Sequence, residues 1–314
     1  MNTTTNKSLK ILCVLLLCVY GIQAQQDPAY SLFMYNGLAI NPAMAGSAET
    51  FSATALYRKQ WAGIEGAPET QTLNMDAPVW NKKIGLGLNI INDKIGVMQN
   101  LNINAQYAYR IQFEKGTLSM GLQAGVYNYS ADYASVITSS PQTPQTNPDN
   151  SFSENISKLI FNFGLGAYYY TEKFYAGASI PHYLNQSLDG IKDNNGVQSR
   201  QYRHYYFTTG FVFDVGENFK IKPSTLIKLA DGAPLQVDIN SNFWYREKLC
   251  IGLSYRTNDS FSTSMQIQID KFRIGYAYDF IISSLSRYAS GNNEIMLRFE
   301  LPRKNNKVLT PRYF

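Results

Sequence analysis

Apolar and polar positions alternate with a period of two along most of this chain. In residues 101–111 the odd positions carry Leu, Ile, Ala, Tyr, Tyr and Ile, whereas the even positions carry Asn, Asn, Gln, Ala and Arg. Residues 118–127 and 261–269 follow the same rule. This period is typical of β-strands with one apolar face, and runs of nine to eleven residues match a tilted strand that crosses a bilayer. Strands of soluble domains are usually only about five or six residues long.

Polar connections between these runs fall into two length classes that alternate along the chain. The short turns lie at 81–82, 114–116, 171–173, 216–218, 246–248 and 270–271. The longer connections lie at 61–67, 93–96, 130–157, 181–200, 231–233, 257–260 and 282–292. Outer-membrane barrels join their strands by short periplasmic turns and longer extracellular loops. Six turns and seven loops therefore predict an all-β, antiparallel, 14-stranded transmembrane β-barrel with both chain ends in the periplasm.

The composition favours a membrane barrel over a soluble all-β domain. Aromatic residues make up 14% of the chain and charged residues only 16%, against about 25% charged residues in typical soluble domains. Aromatic residues gather near strand ends, as interfacial girdles do, at Tyr107, at Tyr109 and within 168–170 and 276–280. A propeller or a large sandwich would also show alternation and frequent turns. Its polar faces would be richer in charge than the Asn- and Gln-rich faces of this chain.

The N-terminal 24 residues have the form of a cleaved export signal. Lys7 and Lys10 precede an apolar stretch from residue 11 to residue 20, and Ala24 offers a small residue at the cleavage point. Two of the three cysteines lie within this segment. We therefore expect the mature chain to keep Cys250 alone and to form no internal disulfide.

These patterns divide the chain into four regions. A signal peptide (1–24) precedes a short, plug-like N-terminal periplasmic segment (25–49), the β-barrel (50–302) and a periplasmic C-terminal tail (303–314). The N-terminal segment has two interpretations. It is either a plug or docking element at the periplasmic mouth, or a structural lid that fills an otherwise empty end of the barrel.

Three stretches of sequence stand apart from the alternating pattern. They are residues 26–31 with 34–36 and 41–46 (Asn-Pro-Ala-Met-Ala-Gly), residues 57–61 (Tyr-Arg-Lys-Gln-Trp) with 66–70, and residues 288–295 (Tyr-Ala-Ser-Gly-Asn-Asn-Glu-Ile). In these stretches, in length and in strand pattern, the chain resembles the PorP/SprF family of type IX secretion system membrane proteins. One departure is Asn293, which stands where similar sequences usually carry His.

The resemblance implies an outer-membrane barrel of gliding or secreting Bacteroidetes-type bacteria. Such a barrel would bind a secreted protein with a C-terminal sorting domain and help to export it or anchor it at the surface. Periplasmic type IX secretion components and outer-membrane lipid would be its other partners, and the net charge of +5 does not imply nucleic acid. The candidate motif or partner-contact residues are Asn41, Pro42, Gly46, Arg58, Trp61, Tyr183, Tyr288, Gly291 and Glu294.

Charged and small residues on the polar faces are expected to point into the barrel. The charged set is Arg58, Arg110, Lys220, Lys222, Lys228, Arg256, Arg273, Arg298, Asp76, Asp238, Asp279, Glu294 and Glu300. These side chains would either line an open pore or pair with one another and fill the lumen, and pairing is favoured because buried charge needs partners. Inward glycines at 85, 87, 121 and 125 would let larger neighbours or a plug approach the wall.

Catalysis has little support in this sequence. The histidines of the mature chain, His182 and His204, flank one loop, and abundant serines would lie near them by chance. Residues 189–196 lack the alternating acidic ligands and closing Glu of a calcium loop. We therefore expect neither an enzyme nor a cofactor or metal. The rival function is an outer-membrane channel or hydrophobic-solute transporter.

Overall fold

The wall of the molecule is a closed antiparallel barrel of 14 strands. This computed structural model describes residues 28–133, 155–192 and 198–301. Strand β1 pairs with β2 on one side and with β17 on the other, so the first and last strands close the sheet. A closed sheet has no unpaired strand edge, which is the condition for crossing a bilayer with strands. The barrel predicted from the alternation is confirmed.

The wall contains one interrupted strand, and one hairpin lies outside it. Val212 separates β10 from β11, but both segments pair with β12 and together form one wall strand. Strands β8 and β9 pair only with each other in this topology, as a two-stranded sheet within the long connection after β7. The strand bounds are β1 Ser52–Lys59, β2 Glu69–Val79, β3 Ile84–Ile95, β4 Met98–Phe113, β5 Gly116–Ala131, β6 Ile156–Tyr170, β7 Phe174–Ile180, β8 Gln186–Lys192, β9 Gln198–Gln201, β10 His204–Phe211, β11 Phe213–Val215, β12 Phe219–Ala230, β13 Gln236–Tyr245, β14 Leu249–Arg256, β15 Ser260–Ile269, β16 Phe272–Ile281 and β17 Asn292–Glu300.

The period of two in the sequence corresponds to two different surroundings of the wall. Outward side chains are large and apolar, and Leu122 and Phe161 keep 63% and 60% of their surface exposed. Inward side chains on the same strands are polar and buried, as at Asn104, Gln106 and Gln123. This arrangement is the reverse of a soluble core, because the outward face meets lipid rather than water.

One predicted loop is a tight turn. The sequence pattern placed a longer connection at 93–96, but β3 continues to Ile95 and β4 begins at Met98. The hydroxyl of Thr70 donates a hydrogen bond to the Asp93 carboxylate at 2.6 Å within the sheet. Because the charge finds a partner on the neighbouring strand, it does not end β3.

Part of the predicted aromatic girdle faces inward, and that prediction was wrong there. Tyr107 is exposed on the outer face, but Tyr168 and Tyr170 are buried together with Tyr175 in one cluster. The rings of Tyr168 and Tyr175 lie 5.9 Å apart. A strand directs successive side chains to opposite faces, so three consecutive tyrosines cannot all face lipid.

Residues 28–50, which we call the luminal segment, lie inside the barrel. The segment contains a short α-helix, α1 (Gly37–Ile40), between 3-10 helices at Phe33–Tyr35 and Pro42–Met44. A further 3-10 helix, Ser284–Arg287, precedes β17. No helix in the described ranges has the length and hydropathy needed to cross a membrane.

Several regions named in the sequence analysis lie outside the described residues. They are the signal peptide (1–24), the tail (303–314), residues 134–154 of the connection after β5, and residues 193–197 of the connection after β7. Their expected roles stay predictions.

Candidate functional site

The luminal segment passes through the barrel from the long-loop end to the short-turn end. Near its start, Arg256 donates a hydrogen bond to the carbonyl of Tyr30 at 2.9 Å, and β14 ends at this arginine. Near its end, the Lys82 ammonium lies 2.6 Å from the Glu49 carboxylate at a short turn. The sequence pattern predicts this segment at the short-turn mouth. The structure differs because inward polar groups of the wall offer partners to the segment along the whole lumen.

A charged cluster in the wall holds the long-loop end of the luminal segment. We call it the seam cradle, and it consists of Arg58, Asp279 and Glu294. The Arg58 guanidinium lies 2.7 Å from Asp279 and 2.9 Å from Glu294, and all three side chains are fully buried. The Glu294 carboxylate accepts hydrogen bonds from the backbone N–H groups of Ser31 at 2.8 Å and Leu32 at 2.9 Å. The segment is therefore bound where β1, β16 and β17 meet at the closing seam.

The luminal segment and the seam cradle stabilise each other. A buried ion pair is costly unless additional hydrogen bonds satisfy its remaining oxygens. The Ser31 hydroxyl donates to Asp279 at 2.5 Å, and Asn292 donates to the same carboxylate at 3.0 Å. Together with the two backbone N–H groups on Glu294, these contacts give every carboxylate oxygen of the cradle a donor.

A row of asparagines connects the middle of the luminal segment to the wall. Asn74 donates to Asn36 of the segment at 2.6 Å, Asn89 donates to Asn74 at 2.6 Å, and Asn104 donates to Asn89 at 3.2 Å. The row crosses β2, β3 and β4 in order. An amide both donates and accepts, so each member can satisfy the next without a charge.

Two tyrosines of the luminal segment form hydrogen bonds with side chains of the wall. Tyr30 shares a hydrogen bond of 2.9 Å with the Thr72 hydroxyl, and Tyr35 donates to the side chain of Gln266. Both phenols therefore tie the segment to side chains of the wall.

Inward glycines allow the luminal segment to approach the wall closely. A Cβ added at Gly85 would lie 1.9 Å from the carbonyl oxygen of Ala45, and one at Gly121 would lie 2.1 Å from the backbone nitrogen of Ala43. Both distances are too short for any side chain. Gly125, expected to serve in the same way, lies instead against an asparagine side chain of the neighbouring strand.

The Asn41-Pro42 candidates fix the turn of the luminal segment at its second 3-10 helix. The Asn41 side-chain oxygen accepts from the backbone N–H of Ala43 at 2.9 Å, as an N-cap does. Its amide group donates to the carbonyl of Ala167 on β6 at 3.0 Å. Asn41 therefore both starts the helix and ties it to the wall.

Gly46 stands at the point where the luminal segment turns towards β1. Its φ of +68° belongs to the left-handed region that glycine adopts without strain. Its N–H donates to Asp76 at 2.8 Å, and its carbonyl accepts from Arg110 at 2.5 Å. Two wall side chains of opposite charge, Asp76 and Arg110, thus bond to the N–H and the carbonyl of Gly46.

Some of the remaining charged residues form ion pairs, and one residue of the predicted inward set lies at the mouth of the barrel. Arg256 lies 2.8 Å from Asp238, and both are buried. Lys220, expected inside, lies 2.5 Å from Glu247 in partly exposed surroundings. Glu247 lies within a short turn and Lys220 lies near the start of β12. The lysine therefore reaches solvent at the mouth and does not line the lumen.

Three of the other candidates form a rim above the closing seam. Ala62 donates its N–H to the carbonyl of Gly291 at 2.9 Å, and Trp61 donates its backbone N–H to the Asn292 side chain at 2.9 Å. Gly291 has a φ of +139°, which favours glycine. Tyr288 projects from the same connection with 75% of its surface exposed. We call the connections 60–68 and 282–291 the seam rim.

Tyr183 lies apart from the seam rim. Its N–H donates to the carbonyl of Phe163 on β6 at 2.7 Å, and its side chain is exposed. The Arg203 guanidinium lies 4.4 Å from the centre of its ring. Sequence reasoning missed Arg203, and it missed Ser31 as a cradle contact although the stretch 26–31 had drawn notice. Only the fold brings these residues to their partners.

Comparisons with known proteins agree with this architecture. A family described as "Type IX secretion system membrane protein PorP/SprF" matches residues 22–299, whereas no curated protein matches. Among solved structures, the Ralstonia pickettii toluene transporter TbuX aligns with a TM-score of 0.50 and 10% identity over 85% of this chain and 93% of that chain. The CymD monoaromatic hydrocarbon channel aligns with a TM-score of 0.51 and 11% identity, over 91% and 96%. Identities this low show the fold alone. The chain is an outer-membrane β-barrel and belongs to the PorP/SprF family of type IX secretion system membrane proteins.

Proposed function

We propose that this barrel binds a secreted protein with a C-terminal sorting domain on its long-loop end and helps to export it or anchor it at the cell surface. The observation that carries the proposal is the occupied lumen of a barrel from a secretion family. The luminal segment is tied to the wall at the cradle, by the asparagine row and at the glycines. A partner would therefore dock on a mouth rather than pass through the lumen.

The seam rim supports docking at the long-loop end. Backbone hydrogen bonds join its two connections, so the exposed Tyr288 side chain projects from a fixed base, and the half-buried Trp61 lies beside it. Interfaces usually depend on a few anchors, among which Trp, Tyr and Arg are favoured. Trp61 and Tyr288 are such anchors here. The short-turn end would face the periplasm and the periplasmic secretion components.

The test is retention of a secreted protein during purification of the barrel from native membranes. We expect Tyr288→Ala, and deletions of 139–150 or 190–196, to reduce retention of a protein that carries a sorting domain. The matched control is Trp80→Ala, because Trp80 is 80% exposed but flanks a short turn at the opposite end. If both deletions and the Tyr288 variant leave retention unchanged, docking at the long-loop end is wrong.

The rival function is a channel or hydrophobic-solute transporter. Two barrels of similar fold are described as a toluene transporter and a monoaromatic hydrocarbon channel. The cavity beside the luminal segment, between Tyr30 and His182, has a volume of only about 40 Å³. An apolar cavity that binds benzene has a volume of about 150 Å³, so this space is too small for an aromatic hydrocarbon. A large, steady conductance of the purified barrel in planar bilayers would favour the rival.

A further inference from the structure

The outward face of the wall carries a recess that is lined mainly by apolar side chains. It crosses β4, β5 and β6 at one height and has a volume of about 600 Å³. Ala105 pairs with Ala124 across β4 and β5, and Phe163 pairs with Ala124 across β5 and β6. Larger side chains, such as Tyr107 and Phe163, stand around these alanines. The recess exists because small residues meet where the rest of the wall carries large ones.

The early end of β7 adds Tyr183 to the edge of this recess. Strand β7 ends at Ile180 and pairs with β6 only over 165–170. Above this level, the edge of β6 is contacted by the chain that follows Pro181, where Tyr183 bonds to Phe163. The tyrosine ring consequently lines the recess on the side of the long loops.

A cation stands over this tyrosine. The Arg203 guanidinium stacks 4.4 Å above the Tyr183 ring, and its Nε donates to the Tyr183 carbonyl at 2.8 Å. Arg203 immediately precedes β10, on whose outward face Tyr205 is half-buried and Phe207 is exposed. An arginine next to aromatic rings at the end of an apolar band has the position of a lipid headgroup contact.

We propose that the recess binds one acyl chain of an anionic membrane lipid, and that Arg203 contacts the phosphate of its headgroup. The occupant follows from the surroundings, because the outer face of this wall meets hydrocarbon chains rather than water. The negative charge of the lipid follows from the positive charge of Arg203. The contact with phosphate follows from the planar fork of the guanidinium, which matches phosphate oxygens. The proposal does not depend on the secretion role.

The probe is phosphatidylglycerol, added to the full-length barrel in detergent and followed by native mass spectrometry, with phosphatidylcholine for comparison. We expect the barrel to retain one phosphatidylglycerol in preference to phosphatidylcholine. Arg203→Gln should weaken this retention by about tenfold, since a hydrogen bond to a charged group is lost. Ala124→Trp should abolish it by filling the recess, and Ala105→Leu is the second filling variant if the first fails to fold.

The chain offers a matched control at the opposite end of the barrel. The Arg246 guanidinium lies 5.3 Å from the centre of the Tyr245 ring, and its Nε donates to the Asn218 side chain at 3.1 Å. Its surroundings resemble those of Arg203, but Arg246 does not border the recess. Arg246→Gln should therefore leave lipid retention unchanged.

Each other outcome would overturn the proposal. Equal loss in the two arginine variants would indicate general surface attraction. Equal retention of both lipids by the unmodified barrel would remove the role of charge. Loss in Arg203→Gln together with full retention in the filling variants would show that the acyl chain lies elsewhere, and the absence of any retained lipid would show that the recess is only a feature of wall packing.

Discussion

Replacement of Glu294 by glutamine tests how the luminal segment is held. Gln keeps the size and shape of Glu but replaces one carboxylate oxygen by an NH₂ donor. In the structure, one oxygen of Glu294 accepts from the Ser31 N–H and from Arg58, and the other accepts from the Leu32 N–H. Either orientation of the new amide therefore points a donor at a buried donor.

The cost of this mismatch can be estimated from these contacts. One buried donor left without an acceptor costs about 1–3 kcal/mol, and weakening a buried ion pair adds to that cost. Arg58 keeps its bond to Asp279 at 2.7 Å, so the ion-pair loss is partial. We expect the free energy of binding of the luminal segment to fall by about 3 kcal/mol. This corresponds to a factor of about 150 in the opening equilibrium.

Amide hydrogen exchange followed by mass spectrometry measures this opening. The N–H groups of Ser31 and Leu32 exchange only when the segment leaves the seam cradle, so their rates report the local opening free energy. Glu294→Gln should raise these rates by about 150-fold, while the strands remain protected. The matched control is Glu69→Gln, because the Lys59–Glu69 pair is solvent-exposed and contributes little.

Unchanged exchange at both amides would refute this account of the anchor. It would mean that the asparagine row and the glycine contacts alone retain the segment. A loss of protection in the strands as well would point to a different error, namely that the cradle holds the closing seam of the barrel itself.

Three further measurements test the closure of the wall, the position of the luminal segment and the orientation of the barrel. Unheated and boiled samples should migrate differently in SDS gels, because a closed wall resists detergent; equal migration would contradict closure. Gly121→Ala should speed exchange in the luminal segment more than Gly275→Ala does, since the added Cβ would lie 2.1 Å from the Ala43 backbone at the first site but 2.9 Å from a flexible methionine end at the second. Tags within 139–150 should be reachable on intact cells, and a tag after Phe314 only once the outer membrane is opened; the reverse pattern would invert the assignment of the two ends.

The wall of the barrel could be predicted because lipid and lumen impose opposite requirements on neighbouring residues. Gln106 is buried and Tyr107 is exposed on the same strand, as alternation in the sequence indicates. The turns could be predicted because they contain Asn and Asp, which tolerate the left-handed backbone conformation that tight turns require. Asn81 and Asp270 adopt this conformation in the structure. Both signals are local in sequence. They identify strands and their number without any knowledge of long-range contacts.

The path of the luminal segment could not be predicted in this way, because its contacts are distant in sequence. Ser31 meets Glu294 across 263 positions of the chain. The polar inward face suits either a water-filled pore or a plug, so composition does not distinguish them. The sequence did carry one signal, since the glycines at 85 and 121 suggested that something approaches the wall. What approaches it could be seen only in the fold.

The chemistry of the lumen explains why a segment of the chain itself fills it. Barrels of about eight strands are filled by their own side chains, whereas barrels of about 16 to 18 strands leave an aqueous channel. A wall of 14 strands lies between these limits, and here side chains of the luminal segment pack against inward side chains of the wall. The luminal segment is irregular, so many of its backbone groups need partners from the wall. Uncharged amides such as Asn74 supply donors and acceptors without requiring counter-ions. A conducting pore must bind its cargo weakly enough to release it. Buried contacts at the cradle, the asparagine row and the glycines instead suit a permanent occupant, and for this reason we propose that a secreted partner docks on a rim.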